Sequence, residues 1–304
     1  MSDYNAPVQD MQFILENLCD MDGLRDLPVF AETTSDLVEQ ILNESARFTG
    51  EVVAPLNQTG DQQTSTLSGS DVTTPDGFKE AYQAFVDGGW NGTPFEAEHG
   101  GMGLPWTLTT ALQEMWQSSN LAWSLCPLLT IGAIESVIAH GAPELKEKFL
   151  EKLVSGEWTG TMNLTEPQAG TDLSLLKSRA DREGDHYRIK GTKIFITYGD
   201  QDFTDNIIHL VLARLPDAPP GVKGISLFLV PKFLVNDDGS LGERNDAHVI
   251  GLEHKLGIHA SPTCVIAYGE NGDGAVGYLI GEEHDGLRCM FTMMNNARLN
   301  VGLQ

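Results

Sequence analysis

Two stretches decide the fold of this chain: Leu164-Thr165-Glu166-Pro167-Gln168-Ala169-Gly170-Thr171-Asp172, and Gly191-Thr192-Lys193-Ile194-Phe195-Ile196-Thr197. Each predicts a strand that ends in a threonine hydroxyl, and the first stretch then turns sharply through Pro167 and Gly170. Glycine adopts a positive φ at little steric cost, so we expect Gly170 to do so. Thr171 and Asp172 can hold the turn by bonding to nearby backbone. The pattern predicts a rigid corner of hydroxyls and N–H groups, suited to a flat polar ring or a phosphate. Either stretch alone would also suit a β-turn without a ligand.

Length, composition and charge limit the class of protein. The 304 residues are 41% hydrophobic and 20% charged, which predicts two or more ordinary globular domains. The 43 acidic and 19 basic residues give a net charge of −24, which argues against a nucleic-acid partner. The same charge would repel a polyanionic ligand unless a basic patch offsets it. Arg188, Lys190 and Lys193 are the candidates in the strand region, although such side chains on exposed strands are usually only solvated.

The cysteines and the apolar segments indicate the cellular compartment of the protein. Four scattered cysteines show no paired spacing and are interpreted as buried side chains in a reducing compartment: Cys19, Cys126, Cys264 and Cys289. The acidic N-terminus predicts no signal peptide. Residues 121–134 form the least polar stretch, contain Pro127, and fall short of the roughly 20 residues that cross a bilayer. We therefore expect a soluble, cytoplasmic protein without membrane insertion, in which this stretch is a buried core helix.

The first half of the chain has helical periodicity. Ser35 and Asp36 predict the cap of a helix that ends near Pro55 and carries an apolar stripe of Leu37, Ile41, Phe48, Val52 and Leu56. Further helices are predicted from about Asp76, after Thr107, and from Pro143. Their inward residues are Phe78, Tyr82, Phe85, Leu108, Leu112, Met115, Trp116, Leu145, Phe149 and Leu153. The Ser/Thr/Gly-rich residues 58–74 are predicted to be a loop.

After Trp158 the periodicity changes to short strands separated by turns. The predicted strands are 159–164, 178–181, 186–189, 193–197, 207–215 and 225–230. Their spacing of about ten residues indicates an antiparallel barrel or sandwich. From about Glu282 a helix returns, with Leu287, Met290, Phe291 and Met294 on one face. These patterns predict an α+β multidomain fold: an all-α N-terminal domain (1–157), an antiparallel β-barrel or sandwich (158–281), and the first helix of a C-terminal helical bundle (282–304) that looks truncated.

Other cofactor and catalytic motifs do not occur. The chain has no Gly-x-Gly-x-x-Gly after a strand, no phosphate loop, no Gly-x-Ser-x-Gly elbow and no His-Glu-x-x-His. His254 and His259 lie five positions apart in a strand-and-turn segment, so we expect no metal. His99, which precedes Gly100-Gly101, is interpreted as a loop residue rather than a base.

The two opening stretches together resemble the acyl-CoA dehydrogenase family. That family's flavin-binding motif is close to Thr-Glu-Pro-x-Ala-Gly-Ser-Asp, and its second strand reads Lys-x-Trp-Ile-Thr, with Phe195 here in place of Trp. Three further segments match family patterns: Glu98-His99-Gly100-Gly101-Met102-Gly103, Lys255-Leu256-Gly257-Ile258-His259-Ala260-Ser261, and Asn295-Asn296-Ala297-Arg298. The opening Tyr4-Asn5-Ala6-Pro7 resembles the long bacterial branch of the family, whose members considerably exceed 304 residues.

The resemblance implies an FAD-dependent oxidation of acyl-CoA between Cα and Cβ, in fatty acid metabolism. It also implies a homodimer or homotetramer that passes electrons to an electron-transfer flavoprotein. The implied FAD contacts are Met162, Leu164, Thr165, Gly170, Thr171, Phe195, Ile196 and Thr197. Of these, Thr165 would face the pyrimidine side of the flavin and Thr197 its N5 region. The implied acyl-CoA contacts are Thr171, Asn295 and Arg298. Asn163 and Leu175 replace residues that are usually small in the family, and Glu166 is interpreted as structural.

The same resemblance leaves the catalytic base outside this chain. In some members a catalytic glutamate immediately precedes the arginine matched by Arg298, and here that position is Ala297. Other members carry the glutamate far downstream, beyond Gln304. We therefore assign no catalytic residue, and expect residues 1–304 alone to be inactive and to hold little flavin. A helix-end ion pair is an alternative role for Arg298. An acyl-CoA oxidase of the same fold and a non-catalytic fragment or binding module stay open as alternatives.

Overall fold

The computed structural model describes residues 4–304 and shows the expected change from helices to strands at Trp158. The first helices are α1 (Val8–Leu18), α2 (Met21–Arg25), α3 (Ser35–Phe48), α4 (Leu56–Gln63), α5 (Phe78–Asp87), α6 (Trp106–Ser119), α7 (Leu121–His140) and α8 (Pro143–Ser155). Between α4 and α5 lies a hairpin of β1 (Thr66–Ser68) and β2 (Asp71–Thr73). The prediction of a loop at 58–74 is therefore wrong, because helix α4 and this hairpin occupy most of it.

The start of α3 differs from its prediction. Thr34 is the cap, since its hydroxyl accepts a hydrogen bond from the Leu37 N–H at 3.2 Å. The buried face begins one residue later than the predicted stripe and consists of Val38, Leu42, Ser45 and Phe48. A π-helical segment, Thr49–Val53, then shifts the register before α4.

The predictions for α5, α6 and α8 are confirmed, because all their inward residues are buried. Helix α7 is long and apolar enough to span a membrane, but 78% of its apolar 18-residue stretch is buried inside the protein. Pro127 has no N–H and cannot donate to the Trp123 carbonyl one turn earlier, and the Thr130 hydroxyl donates to the Cys126 carbonyl at 3.0 Å. Helix α7 is thus a core helix, as predicted.

The main sheet contains β3 (Thr159–Asn163), β4 (Arg179–Glu183), β5 (His186–Thr197), β6 (Ile207–Arg214) and β7 (Ile225–Pro231). After a hairpin of β8 (Phe233–Val235) and β9 (Leu241–Arg244), the chain adds β10 (Ala247–Leu252), β11 (Thr263–Tyr268) and β12 (Ala275–Ile280). The strand order is β10-β11-β5-β12-β7-β6-β3, and β4 pairs with β5. Most pairs are antiparallel, as expected, whereas β3 and β6 run parallel.

Two predicted strands, 186–189 and 193–197, are one continuous strand, β5. Gly191 joins them with φ 142°, where a Cβ atom would lie 2.4 Å from Ser178 Oγ. Only glycine suits that close approach.

Helix α9 (Gly286–Leu303) ends the chain and packs on α7. The Ser136 hydroxyl donates to the Cys289 carbonyl at 3.2 Å, and a Cβ atom at Gly132 would lie 3.1 Å from Met293 Cγ. Glu282 and Glu283 precede the helix, and Phe291, predicted to share one face with Leu287, Met290 and Met294, is 41% exposed, whereas Met290 is buried. That prediction is wrong because the buried face turns toward Cys289, Met290, Met293, Asn296 and Asn300.

Helix α7 also supports the sheet directly beneath β3. The Gly160 N–H donates to Thr130 Oγ1 at 3.1 Å, and a Cβ atom at Gly160 would lie 2.4 Å from the Ala133 Cβ. The helical core and the strand that leads to the first sequence motif therefore form one packed unit. The elements change near the predicted domain limits, but these limits stay predictions, and positions 1–3 of the first predicted domain lie outside the described residues.

Candidate functional site

The two stretches singled out in the sequence lie side by side, where β3 and β5 end. The chain leaves β3 at Asn163 and runs on through Thr165, while β5 ends at Thr197. The Ile194 N–H donates to the Thr165 carbonyl at 2.9 Å, and the Thr161 hydroxyl donates to the Thr197 carbonyl at 2.7 Å. These bonds hold the segments that carry Thr165 and Thr197 side by side. We call this region, residues 162–172 with 193–197, the corner.

A bulge in β5 shapes the corner. Ile194 and Phe195 together lie opposite Val265 of β11. Phe195 has φ 59° and is 58% exposed, an uncommon conformation for an aromatic residue and one that concentrates at functional sites. The bulge frees the Ile194 N–H for Thr165 and places an exposed aromatic side chain two residues before Thr197.

The turn at 166–172 closes differently from the prediction. Glu166 and Ala169 exchange two backbone hydrogen bonds of 3.0 Å, and the Asp172 carboxylate accepts from the Ser174 N–H at 2.9 Å. Gly170 does not have a positive φ, so that expectation is wrong. Within residues 4–304, a Cβ atom at Gly170 would have no neighbour within 4 Å, and the N–H groups of Gly170 and Thr171 donate no hydrogen bond. Both residues are exposed.

A buried ion pair lies under the corner. Lys193 Nζ is 2.8 Å from Glu166 Oε1, and the two side chains are 0% and 3% exposed. The same ammonium donates to the Leu164 carbonyl at 2.9 Å. The suggestion that Lys193 lies on an exposed strand and offsets the negative charge of the chain is therefore wrong. The sequence contained a signal for this pair, because the acidic Glu166 directly follows Thr165 and Lys193 lies four residues before Thr197.

Glu166 is structural, as interpreted from the sequence. Its carboxylate accepts from the Lys177 N–H at 2.7 Å, from the Ser178 N–H at 3.0 Å and from the Gln168 amide. Burial alone would raise the pKa of Glu166, but the Lys193 ammonium and these donors lower it to about 2. The carboxylate thus stays ionised and ties the turn to β5 and to the start of β4.

The other residues implied for FAD are partly at the surface. Met162 and Leu164 are half-buried and pack on the large hydrophobic core, and the Thr165 and Thr197 side chains are half-buried. Ile196 is only 2% exposed, within a second core, so its side chain does not face the corner and only its backbone is available to a ring.

The two departures from the family pattern have structural explanations. Asn163 is buried, accepts from the Tyr268 hydroxyl at 2.8 Å, and lies 3.4 Å from His209 Nδ1. Burial lowers the pKa of His209 to about 3, which keeps that imidazole neutral beside the amide. Leu175 is 52% exposed, so its size meets no packing limit.

The residues implied for acyl-CoA on α9 are exposed. Arg298 Nη1 donates to Asn295 Oδ1 at 3.2 Å, and its guanidinium carbon lies 5.3 Å from the Phe291 ring centre. Arg298 has no carboxylate partner in the described part of the chain, and the alternative of a helix-end ion pair stays a prediction. Ala297 is half-buried, and α9 contains no Asp or Glu.

The remaining charged candidates are placed as follows. Arg188 pairs with Glu183 at 2.7 Å, and Lys190 is exposed. The rings of His254 and His259 are 6.3 Å apart, and His259 Nδ1 lies 2.9 Å from Asp61. Among residues 4–304, no group of three His, Cys, Asp or Glu side chains could hold a metal ion.

The donor set of the corner suits a flat heterocycle that carries a phosphate. Apolar contacts come from Met162, Leu164 and Phe195, hydroxyls from Thr165 and Thr197, and open N–H groups from the turn. Backbone N–H groups in such a turn are well suited to an anion.

Comparison with known proteins identifies related domains in both halves of the chain. Residues 35–157 match the acyl-CoA dehydrogenase N-terminal domain, and residues 161–269 match the acyl-CoA dehydrogenase middle domain. The chain is 48% identical over 302 residues to 3-methylmercaptopropionyl-CoA dehydrogenase of Ruegeria pomeroyi, which covers 99% of this chain and 51% of the relative. It spans about half the length of the curated relatives it matches.

Solved structures show the same fold. ACDH-11 of Caenorhabditis elegans in complex with C11-CoA has a TM-score of 0.77 at 22% identity, over 99% of this chain and 50% of that chain. An acyl-CoA dehydrogenase of Bacillus anthracis complexed with FAD has a TM-score of 0.71 at 22% identity, over 90% of this chain and 42% of that chain.

Proposed function

The chain belongs to the acyl-CoA dehydrogenase family, and we propose that the whole protein oxidises acyl-CoA thioesters to enoyl-CoA with FAD held at the corner. The observation that carries this proposal is the joining of Thr165 and Thr197 by the Ile194 bulge and the buried Lys193–Glu166 pair. A rigid pair of hydroxyls beside an exposed aromatic ring provides the orientation that a flavin site requires.

FAD, when bound, supplies the hydride acceptor of the reaction. Met162, Leu164 and Phe195 would contact its ring system, Thr165 would hydrogen-bond to the pyrimidine side and Thr197 to the N5 region. Gly170 and Thr171 would donate N–H groups to the pyrophosphate or to the pantetheine of the substrate, and Thr171 would add its hydroxyl.

The substrate would meet the exposed side of α9. Arg298 and Asn295 are proposed contacts, because Arg298 is an exposed cation without a carboxylate partner among residues 4–304 in a chain of net charge −24. A Cα–H beside a thioester is weakly acidic, so its removal needs a base and stabilisation of the developing carbonyl charge. Since Ala297 cannot accept a proton, we propose a glutamate outside residues 1–304 as the base.

The wider setting of the enzyme is also a proposal. Membership of the family supports an electron-transfer flavoprotein as electron acceptor, a homodimer or homotetramer, and a role in fatty acid metabolism. A cytoplasmic location without membrane insertion is part of this proposal, and the burial of α7 supports its assignment as a core helix.

The test uses the whole protein purified with its flavin. Acyl-CoA added without oxygen should bleach the flavin absorption, and mass spectrometry should find the enoyl-CoA product. An artificial electron acceptor should then sustain turnover much faster than oxygen. Equally fast turnover with oxygen would favour the oxidase, and no reduction by any acyl-CoA would favour a non-catalytic binding protein.

A further inference from the structure

The peptide bond between Leu164 and Thr165 is hydrogen-bonded at one end only. Its carbonyl oxygen accepts from Lys193 Nζ at 2.9 Å. Its N–H donates no hydrogen bond among residues 4–304, and the pairing of β3 with β6 ends two residues earlier, at Asn163 and Val211. Thr165 is only half-buried. A backbone N–H without a protein partner is normally satisfied by water or by a ligand.

The two ends of this peptide point in opposite directions. Every peptide bond in the described part of the chain is trans, and the C=O and N–H bonds of a trans peptide are antiparallel. The N–H of Thr165 therefore points away from the Lys193 ammonium, which lies at the carbonyl end. A cation on the carbonyl oxygen polarises the whole amide, so the N–H becomes a stronger hydrogen-bond donor.

The charge of Lys193 is shielded from water. Its side chain is 0% exposed, and its ammonium donates to the Leu164 carbonyl and to the Glu166 carboxylate. Charges act more strongly in such a buried environment than in water. Glu166 does not cancel this effect completely, because its carboxylate is also bound by two backbone N–H groups and by the Gln168 amide. Within residues 4–304, the Lys193 ammonium is the one charged group that is hydrogen-bonded to the Leu164–Thr165 peptide.

We propose that Lys193 sets the reduction potential of the bound flavin. Through the Leu164–Thr165 peptide it strengthens an N–H donor at the pyrimidine side of FAD and thereby favours the reduced cofactor. The inference rests on the proposed function, which assigns Thr165 to the pyrimidine side. Because Lys193 is buried behind the peptide and acts through it, it is a positioning residue.

The chemistry of the proposed reaction explains why such a donor favours reduction. A hydride brings two electrons and one proton to the flavin, so the ring system gains one negative charge unless a second proton follows. A polarised N–H binds the more negative ring more tightly, and the buried cation enlarges this difference. Hydrogen bonds and charges close to the ring are the means by which a protein tunes a flavin.

A purely structural role for Lys193 predicts a different result. If the ion pair only holds the corner in shape, its loss weakens the binding of oxidised and reduced FAD by the same factor, and the reduction potential does not change. If the ammonium acts electrostatically, the reduced form loses more affinity than the oxidised form. The ratio of the two losses fixes the change in potential by linkage, and tenfold corresponds to about 30 mV for a two-electron couple.

The experiment measures the midpoint potential of FAD bound to the whole protein, by reductive titration against a reference dye. The test variant is Lys193→Met/Glu166→Gln, which removes both charges and leaves neither ion buried alone. We expect its potential to fall by about 30 mV, equivalent to a tenfold greater loss of affinity for reduced than for oxidised FAD. Lys193→Arg retains the cation and should keep the potential near that of the wild type. Lys190→Met removes an exposed lysine of the same strand and should leave the potential unchanged.

The outcomes separate this inference from the proposed function. An unchanged potential in Lys193→Met/Glu166→Gln, with FAD still bound, would overturn the role of Lys193 and leave the dehydrogenase standing. An equal fall in Lys190→Met would also overturn it, because the effect would then follow net charge alone. A whole protein that binds no FAD would contradict the proposed function, and this inference with it. Lys193→Gln/Glu166→Gln is the second variant if the first does not fold, and the same fall in potential is expected.

Discussion

Lys193 holds the backbone on both sides of Thr165. Its Nζ atom donates to the Leu164 carbonyl at 2.9 Å and lies 2.8 Å from Glu166 Oε1. Because Lys193 is itself part of β5, one buried side chain fixes the strand that ends at Thr197 against the segment that carries Thr165. The geometry of the corner thus depends on a buried ion pair.

Loss of this lysine should destabilise the protein. Lys193→Met leaves the Glu166 carboxylate buried without its cation, which typically costs about 3–5 kcal/mol. Urea unfolding of the variant measures the change. Lys190→Met, on the exposed face of the same strand, is the matched control and should stay within about 0.5 kcal/mol of the wild type. Equal losses in both variants would show that Lys193 has no special role.

The same pair predicts a pH dependence. The pKa of Glu166 is about 2 in the folded protein against an ordinary 4.5, so the folded state binds fewer protons than the unfolded state between these values. This contribution is fully present above pH 4.5 and is lost as the pH falls toward 2, with a limit on the order of 3 kcal/mol.

Urea midpoints across the acid range measure this effect. The free energy of unfolding should fall less at low pH in Glu166→Gln than in the wild type, relative to the value of each protein at neutral pH. Parallel curves for the two proteins would mean that Glu166 titrates normally in the folded state.

Part of this fold follows from periodicity, because several helices bury an apolar stripe that is visible in the sequence. Helices α5, α6 and α8 were predictable in this way. Helix α4 and the hairpin at 58–74 were not, since their polar, Gly-containing sequence resembles a loop and their backbone is fixed by contacts with distant segments. One example is the Ser65 hydroxyl, which donates to the Ala260 carbonyl.

The candidate site was predictable in its residues but not in its construction. The threonines and the turn were visible as motifs. The bulge at Phe195 depends on pairing with β11, and the burial of Lys193 depends on its contacts with the Leu164 carbonyl and Glu166. The sequence of a single strand encodes neither. Gln117 of α6 is buried, and its hydrogen bond to Asn300 requires that α9 packs against α6.

The assignment of Arg298 predicts an effect on substrate affinity. Arg298→Ala in the whole enzyme should raise the KM for acyl-CoA about tenfold, the usual size of one charge-assisted hydrogen bond. The effect should shrink at high salt, because the contact is ionic. Arg288→Ala is the control, since Arg288 is an exposed arginine of the same helix that pairs with Asp285. An unchanged KM and kcat in Arg298→Ala would contradict the assignment.

Residues 1–304 alone should be catalytically silent. The position before Arg298 is Ala297, and α9 contains no carboxylate that could remove the α-proton. With added FAD, this fragment should neither form enoyl-CoA nor exchange the α-protons of acyl-CoA with solvent deuterium. Turnover by the fragment would show that another side chain within it acts as the base.

The most direct test of the corner as the flavin site is the dissociation constant of FAD in Thr165→Val and Thr197→Val variants of the whole protein. Each loses one oriented hydrogen bond, worth about 0.5–1.5 kcal/mol, and should bind FAD roughly two- to tenfold more weakly with a shifted absorption spectrum. Thr66→Val, at an exposed position of β1, should match the wild type. Unchanged FAD affinity and spectrum in both corner variants would contradict the account.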